Sequence, residues 1–232
     1  MKYVTTYLIS LEFNLVAMYS AIPLFNYTRQ PHMFTIKDGI VQNAIIKPNL
    51  FNNLEHGPLK TVAGIVLHQT NKDTAETTLL LYRNRPNGAH FLISPEGVIY
   101  QTARVDRVCF HVGHLASRCK AEHTCSPNYL AALARLEPLA AVDENARMTI
   151  HKLETAKPIT ARYPSNTESI GIEVSGAPIK KVYQPPTVAQ NVASTWLVAQ
   201  LLATFKLDRT NVFKHGTIGY DKEPSEAMHV KY

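Results

Sequence analysis

Charge is scarce in this sequence. Asp, Glu, Lys and Arg make up 18% of its 232 residues, and the basic ones are scattered, not gathered into a block. With 45% hydrophobic residues, that scarcity excludes a disordered or fibrous chain and describes a soluble globular one. No arginine- or lysine-rich stretch and no aromatic platform is present, so nothing argues for nucleic acid as a partner. No apolar run reaches the roughly 20 uninterrupted residues that a stable membrane span needs. Internal repeats and low-complexity linkers are missing too, which at this length leaves one domain with a sizeable core. The charge that is present sums to +6, with a pI near 9.2, and favours an anionic partner such as a polyanionic surface or an acid-bearing polymer.

Cysteine is limited to three positions. Cys119 and Cys125 close a short polar loop, RCKAEHTCSP, that ends in a Ser-Pro turn signal. We read them as a disulfide formed in an oxidising compartment, with Cys109 left free. A metal clip with His123 is the competing reading, but zinc loops space their cysteines about two to four residues apart. Cys109, between Val108 and Phe110, reads most simply as a small buried hydrophobe.

Residues 1–32 form an N-terminal extension ahead of a domain at 33–232. Its apolar bias, with Lys2 in front and small residues at Ala17, Ser20 and Ala21, resembles an export leader, although Glu12 and Asn14 interrupt it. A degenerate leader and an amphipathic extension both stay open. Beyond it, Phe34 to Ile46 alternates around Asp38-Gly39 and predicts a hairpin, followed by a loop from Lys47 to Lys60. Val62 to His68 (VAGIVLH) is a buried strand. Asp73 and Glu76 form a capping-box pattern, so a helix is expected from Asp73, ended by Asn87-Gly88. His90 to Ser94 and Val98 to Thr102 are strands joined by a Pro95-Glu96-Gly97 turn.

Tyr129 to Leu136 is helical by composition, and residues 137 to 168 are irregular and polar, which predicts a substrate-contacting loop. Ser169 to Ser175 is a second buried strand. Thr187 to Phe205 is the longest helix, with Val188, Val192, Trp196 and Ala199, and Leu202 close by, as its core-facing stripe. Strands and helices interleave as in an α/β domain.

The chemistry-bearing residues lie far apart in the chain. His68 closes one apolar strand, His215 sits near the C-terminus in FKHGTIGYDKEPSEA, and Glu173 lies inside the apolar run SIGIEVSG. Two histidines and a strand-borne glutamate suggest a catalytic zinc site: imidazoles hold the metal, an open position admits water, and a carboxylate acts as base. A single strand-end histidine is more simply a hydrogen-bonded core residue; the pair, in its flanking sequence, points to metal. Glu173, flanked by Ile172 and Val174, is expected to be desolvated with a raised pKa, which suits proton abstraction. A solvent-facing strand carboxylate is the plain alternative.

These segments together resemble the zinc-dependent type 2 N-acetylmuramoyl-L-alanine amidases, relatives of the peptidoglycan recognition proteins. The resemblance covers roughly residues 34 to 230. GIVLHQT from Gly64 is similar to the first metal-ligand strand of that family, and GAHFLISPEGVIYQ from Gly88 to its central hairpin. FHVGH from Phe110 resembles the motif at the rim of the site, SIGIEVSG the catalytic-glutamate strand, and KHGTIGYDKEPSEA the second metal-ligand loop. The RCKAEHTC segment and the K-x-P-[ST]-E-A ending look most like amidase-type antibacterial effectors delivered by secretion machines.

The resemblance implies a central mixed β-sheet flanked by helices, a bound Zn2+, and hydrolysis of the amide between N-acetylmuramic acid and the L-alanine of the stem peptide. It implies His68 and His215 as zinc ligands, Glu173 as general base and Lys222 as the group that steadies the oxyanion. The family places an aspartate or cysteine as third ligand two residues after the lysine; here Pro224 stands there and cannot ligate. Glu226 is favoured, because the proline fixes a turn that swings it toward His215; Glu223, Asp221 and a water are the alternatives. His111, His114, His90 and Asn87 are expected on the substrate side of the cleft, although His90 also reads as structural, and His123 and His229 as surface residues. Peptidoglycan is the implied partner and the periplasm or cell wall, after export, the implied place of action. Whether a cognate immunity protein guards the producing cell is left open. Two other readings compete: a non-catalytic peptidoglycan-binding module of the same fold, and a cysteine peptidase using Cys109 with His111.

Overall fold

The computed structural model describes residues 33–220 and 222–232, so the expected leader and Asp221 lie outside the described residues. The chain enters through a small hairpin, β1 (Ile36–Lys37) and β2 (Ile40–Val41). Its turn residues Asp38 and Gly39 have φ of 51° and 75°, the left-handed pair that a two-residue hairpin loop requires. After it come β3 (Ile46–Pro48), β4 (Gly64–Gln69), α1 (Ala75–Tyr82), β5 (Phe91–Ile93) and β6 (Ile99–Gln101). Three helices follow: α2 (Arg118–Ala121), α3 (Pro127–Ala140) and α4 (Glu144–Thr155). The chain returns through β7 (Ser169–Val174), a hairpin of β8 (Pro178–Ile179) and β9 (Val182–Tyr183), α5 (Val188–Phe205), β10 (Val212–Lys214) and α6 (His215–Ile218).

The main sheet runs β10-β4-β7-β5-β6-β3 and is mixed, with β5 and β6 antiparallel and the other neighbours parallel. This is the expected mixed sheet flanked by helices. β4 and β7 lie inside it, covered on both faces, which explains why apolar residues occur on both sides of each strand. Alternation divides their side chains between two cores. Ile65, Leu67, Ile170, Ile172 and Val174 pack with Trp196, Leu197 and Leu201 of α5. On the opposite face Val66 packs with Val112, Leu115, Tyr163 and Ile218.

Three local expectations need correcting. Thr74, not Asp73, caps α1, accepting from the Thr77 amide, while Asp73 accepts from the Ala177 amide instead. The buried face of α5 is rotated from the predicted stripe. Val188 and Val192 are 82% and 43% exposed, whereas Ala193, Leu197 and Leu201 are fully buried. Residues 137–168 are not an irregular loop: α4 and the end of α3 occupy much of the segment and pair as a helical hairpin. Ser126 caps α3 with Pro127 in its first turn, and Asp143 caps α4. Leu133, Ala140, Ala146 and Ile150 make a small separate core there. A disulfide between Cys119 and Cys125 ties α2 to the start of α3. No described helix is long and apolar enough to cross a membrane.

Candidate active site

Parallel pairing of β4 and β7 sets His68 level with Glu173. On β7, Ser169, Gly171 and Glu173 alternate with the residues facing α5, so all three line the other face of the sheet. Gly171 is required by close approach: a Cβ there would come 2.8 Å from Cγ of His111. His215 follows β10, which pairs with β4 from the other side, at the first position of α6. Gly216 then lets the following turn fold back, since a Cβ would meet the carbonyl of Glu223 at 2.5 Å and that of Glu226 at 2.9 Å. That turn delivers the carboxylate of Glu226 to the two histidines.

His68, His215 and Glu226 each offer one ligand atom within 4.8 Å of the others, and all three are buried. Nδ1 of His215 lies 2.7 Å and Nδ1 of His68 3.5 Å from Oε1 of Glu226. The far sides of both rings are already bonded. Nε2 of His215 donates to the carbonyl of Val112 at 2.8 Å. Nε2 of His68 is 3.0 Å from Nδ1 of His111, whose Nε2 is 3.3 Å from Oγ of Ser169. Ser169 donates its own proton to the Ser165 carbonyl at 2.6 Å, so its oxygen accepts from His111, and Nδ1 of His111 in turn accepts from His68. Both ligand candidates therefore point Nδ1 at one carboxylate oxygen, the place where a cation would take over from the proton shared there. Three electron-pair donors converging in a buried space fit a cation, and the donor set of two imidazoles and a carboxylate fits zinc.

The electrostatics agree with that fit. Burial, then the charge of His215, lowers His68 to about 4, which keeps it neutral. Burial pushes Glu226 up, but hydrogen bonds from His215 and His68 outweigh it and hold the carboxyl at about 2, ionised. Burial, then repulsion from Glu226, raises Glu173 to about 8, with Lys222 pulling the other way. Oε2 of Glu173 is buried without a hydrogen-bond partner. A carboxyl kept unpaired in a cleft is what a general base needs, and a cation beside it would draw its pKa down. The site opens into a cavity of about 700 Å³.

A family model described as N-acetylmuramoyl-L-alanine amidase matches residues 58–225. The chain belongs to that family. Among solved structures it is similar to a selenomethionine derivative of AmpD, at 15% identity and TM-score 0.49 over 82% of this chain and 93% of that one. It is similar to PlyL at 13% identity and TM-score 0.44, over 74% and 81% of the two chains. For AmiD from E. coli, crystallised with anhydro-N-acetylmuramic acid-L-Ala-D-gamma-Glu-L-Lys, the values are 18% and 0.43, over 68% and 49%. No curated protein sequence matches the chain.

The remaining amidase positions fall in different places. Lys222, Asn87 and His111 line the cavity with the candidate ligands and Glu173. A Cβ on Gly113 would stand 4.0 Å from Nζ of Lys222, which puts that ammonium at the His111–Val112–Gly113 rim. Arg85 and Lys181 add positive charge to the lining. Two expected substrate contacts lie elsewhere. His90 is fully buried, accepting from the Gly171 amide and donating to the Arg107 carbonyl, so its role is structural. His114 is not among the lining residues; its Nε2 meets Glu144 at 3.3 Å and its ring packs on His151.

Cys109 is buried beside Leu54, Tyr82 and Ala103, outside the cavity lining, and burial pushes its thiol far up. That environment removes the basis of the cysteine-peptidase reading. His123 and His229 are exposed, and the cystine replaces the metal clip. Ser169 and Asn166 are absent from the expectations above. For Ser169 a signal existed, because Ser-x-Gly-x-Glu on a strand places all three on one face.

Proposed function

We propose that this amidase is a zinc-dependent hydrolase of the bond between N-acetylmuramic acid and the L-alanine of the peptidoglycan stem peptide. One observation carries the reading: His68, His215 and Glu226 converge at a cavity also lined by Glu173, whose Oε2 is buried without a hydrogen-bond partner, in a chain whose residues 58–225 match the amidase family. Bound zinc would polarise the scissile carbonyl and bring the pKa of a water from 15.7 toward ~7. Glu173 takes the proton of the attacking water and returns it to the leaving amine of L-alanine. Lys222, at the rim beside Gly113, donates to the carbonyl oxygen as it becomes an oxyanion. Arg85 and Lys181 in the cleft wall offer cations to the free carboxylates of the stem peptide.

The disulfide supports action outside the reducing cytoplasm, on the wall in the periplasm, and the basic net charge suits that anionic polymer; delivery as an antibacterial effector is the setting that the RCKAEHTC segment and the K-x-P-[ST]-E-A ending suggest. Digestion of purified peptidoglycan, followed by mass analysis, tests the reaction. The expected products are free stem peptides and unmodified glycan strands. Cleaved sugars or cut cross-bridges would contradict the proposal.

A further inference from the structure

The two candidate zinc histidines are held from behind by neighbouring residues of one short segment. The ring of His111 takes the Nε2 proton of His68 at 3.0 Å, and the carbonyl of Val112 takes that of His215 at 2.8 Å. One side-chain atom holds both backbone amides of that segment. Oδ1 of Asn166 accepts the backbone N–H of His111 at 2.9 Å and that of Val112 at 2.8 Å. Asn166 stands in the turn ahead of β7, three residues before Ser169, the partner of the other His111 nitrogen.

We propose that Asn166 is a positioning residue of the metal centre, acting on both histidines through the His111–Val112 segment. The inference rests on the zinc reading above. A neutral imidazole has two tautomers, and only the one protonated at Nε2 presents Nδ1 to the metal here. The acceptors that select this tautomer, Nδ1 of His111 and the oxygen of Val112, hold their places only while the segment keeps its conformation. Asn166 supplies two of its hydrogen bonds from one oxygen, so losing that oxygen leaves two N–H groups unsatisfied and lets both acceptors drift. What matters is the acceptor. Aspartate at 166 keeps an oxygen there; alanine does not.

The test compares the full chain with its Asn166→Ala and Asn166→Asp variants. Zinc affinity is measured by competition with a chromophoric chelator, ligand geometry by the visible spectrum of the cobalt-substituted protein, and folding by circular dichroism. Asn166→Ala is expected to weaken zinc binding by about 10–100-fold and to alter the cobalt bands, with Asn166→Asp restoring both. Wild-type affinity in folded Asn166→Ala, or an Asn166→Asp variant as weak as alanine, overturns the proposal. Should Asn166→Ala not fold, His111→Phe decides, because it removes the acceptor of His68 and leaves the Asn166 bonds. Weakening of the same order supports the relay, and unchanged affinity overturns it. A wild-type chain that binds no zinc overturns the proposed function itself; normal wild-type binding with unaffected variants overturns this inference alone.

Discussion

On the face of the main sheet that looks away from α5, partners come from distant parts of the sequence. Strand register brings His68 level with Glu173, β10 adds His215 from the neighbouring edge, and a turn held against Gly216 adds Glu226. In the helical segment from Arg118 to Thr155 the ties are mostly short-range. Ser126 and Asp143 cap the helices that begin beside them, Cys119 bonds Cys125, and Lys157 reaches back to Glu154. The sheet face keeps a buried carboxylate oxygen of Glu173 unpaired beside a cavity. The helical core also buries Glu154 completely, but neutralises it locally, with the Tyr129 hydroxyl at 2.6 Å and the Lys157 ammonium at 2.8 Å on one oxygen. Each glutamate keeps its Oε2 buried without a hydrogen-bond partner, but their settings differ: Glu173 lines a cavity, whereas Glu154 is held through Oε1 by its neighbours.

That contrast predicts where substitutions cost activity and where they cost stability. Glu173→Gln is expected to lower kcat by about 10²–10⁴-fold while zinc content and melting temperature stay close to wild type; full activity would remove Glu173 as base. In the helical segment the effect inverts. Replacing Cys119 and Cys125 together by serine is expected to cost about 2 kcal/mol, a fall of about 4–8 °C in melting temperature, with kcat on peptidoglycan unchanged. A parallel loss of activity would mean that the two regions are coupled.

The smallest effect belongs to the joint between the regions. Arg162 pairs with Glu168 at 3.0 Å, and Ser165 donates to the same carboxylate. Burial pushes this carboxyl up, but those hydrogen bonds prevail and bring it from 4.5 to about 2. Because the folded value lies below the unfolded one, the stabilisation is complete above pH 4.5 and is lost as pH falls toward 2. Glu168→Gln is therefore expected to lower the melting temperature at neutral pH and to flatten its acid dependence between those limits. An unchanged acid limb would show that the pair is silent.

The same division governed what could be read from the residues. β4 and β7 are short buried runs in which a histidine or glutamate interrupts an apolar pattern, so each stands out without knowledge of the fold. Helix α4 hides its signal: its buried positions are Ala146, Ile150 and Glu154, and a stripe of one small residue, one large one and one acid looks polar in sequence. Val188 and Val192 misled in the opposite sense. They share a helical face with Trp196, but tertiary packing turned α5 so that Ala193, Leu197 and Leu201 meet the sheet. Asn166 was illegible for a different reason. Its partners are backbone amides 54 and 55 residues away, and backbone amides carry no side-chain identity to read.

The most direct measurement is elemental analysis of the purified full chain, beside its His68→Ala, His215→Ala and Glu226→Ala variants, with a chelator control. The account predicts one zinc per wild-type chain, zinc lost from each variant, and amidase activity that disappears with chelation and returns with added zinc. A metal-free wild-type chain that still releases stem peptides, or variants that keep their zinc, would contradict it.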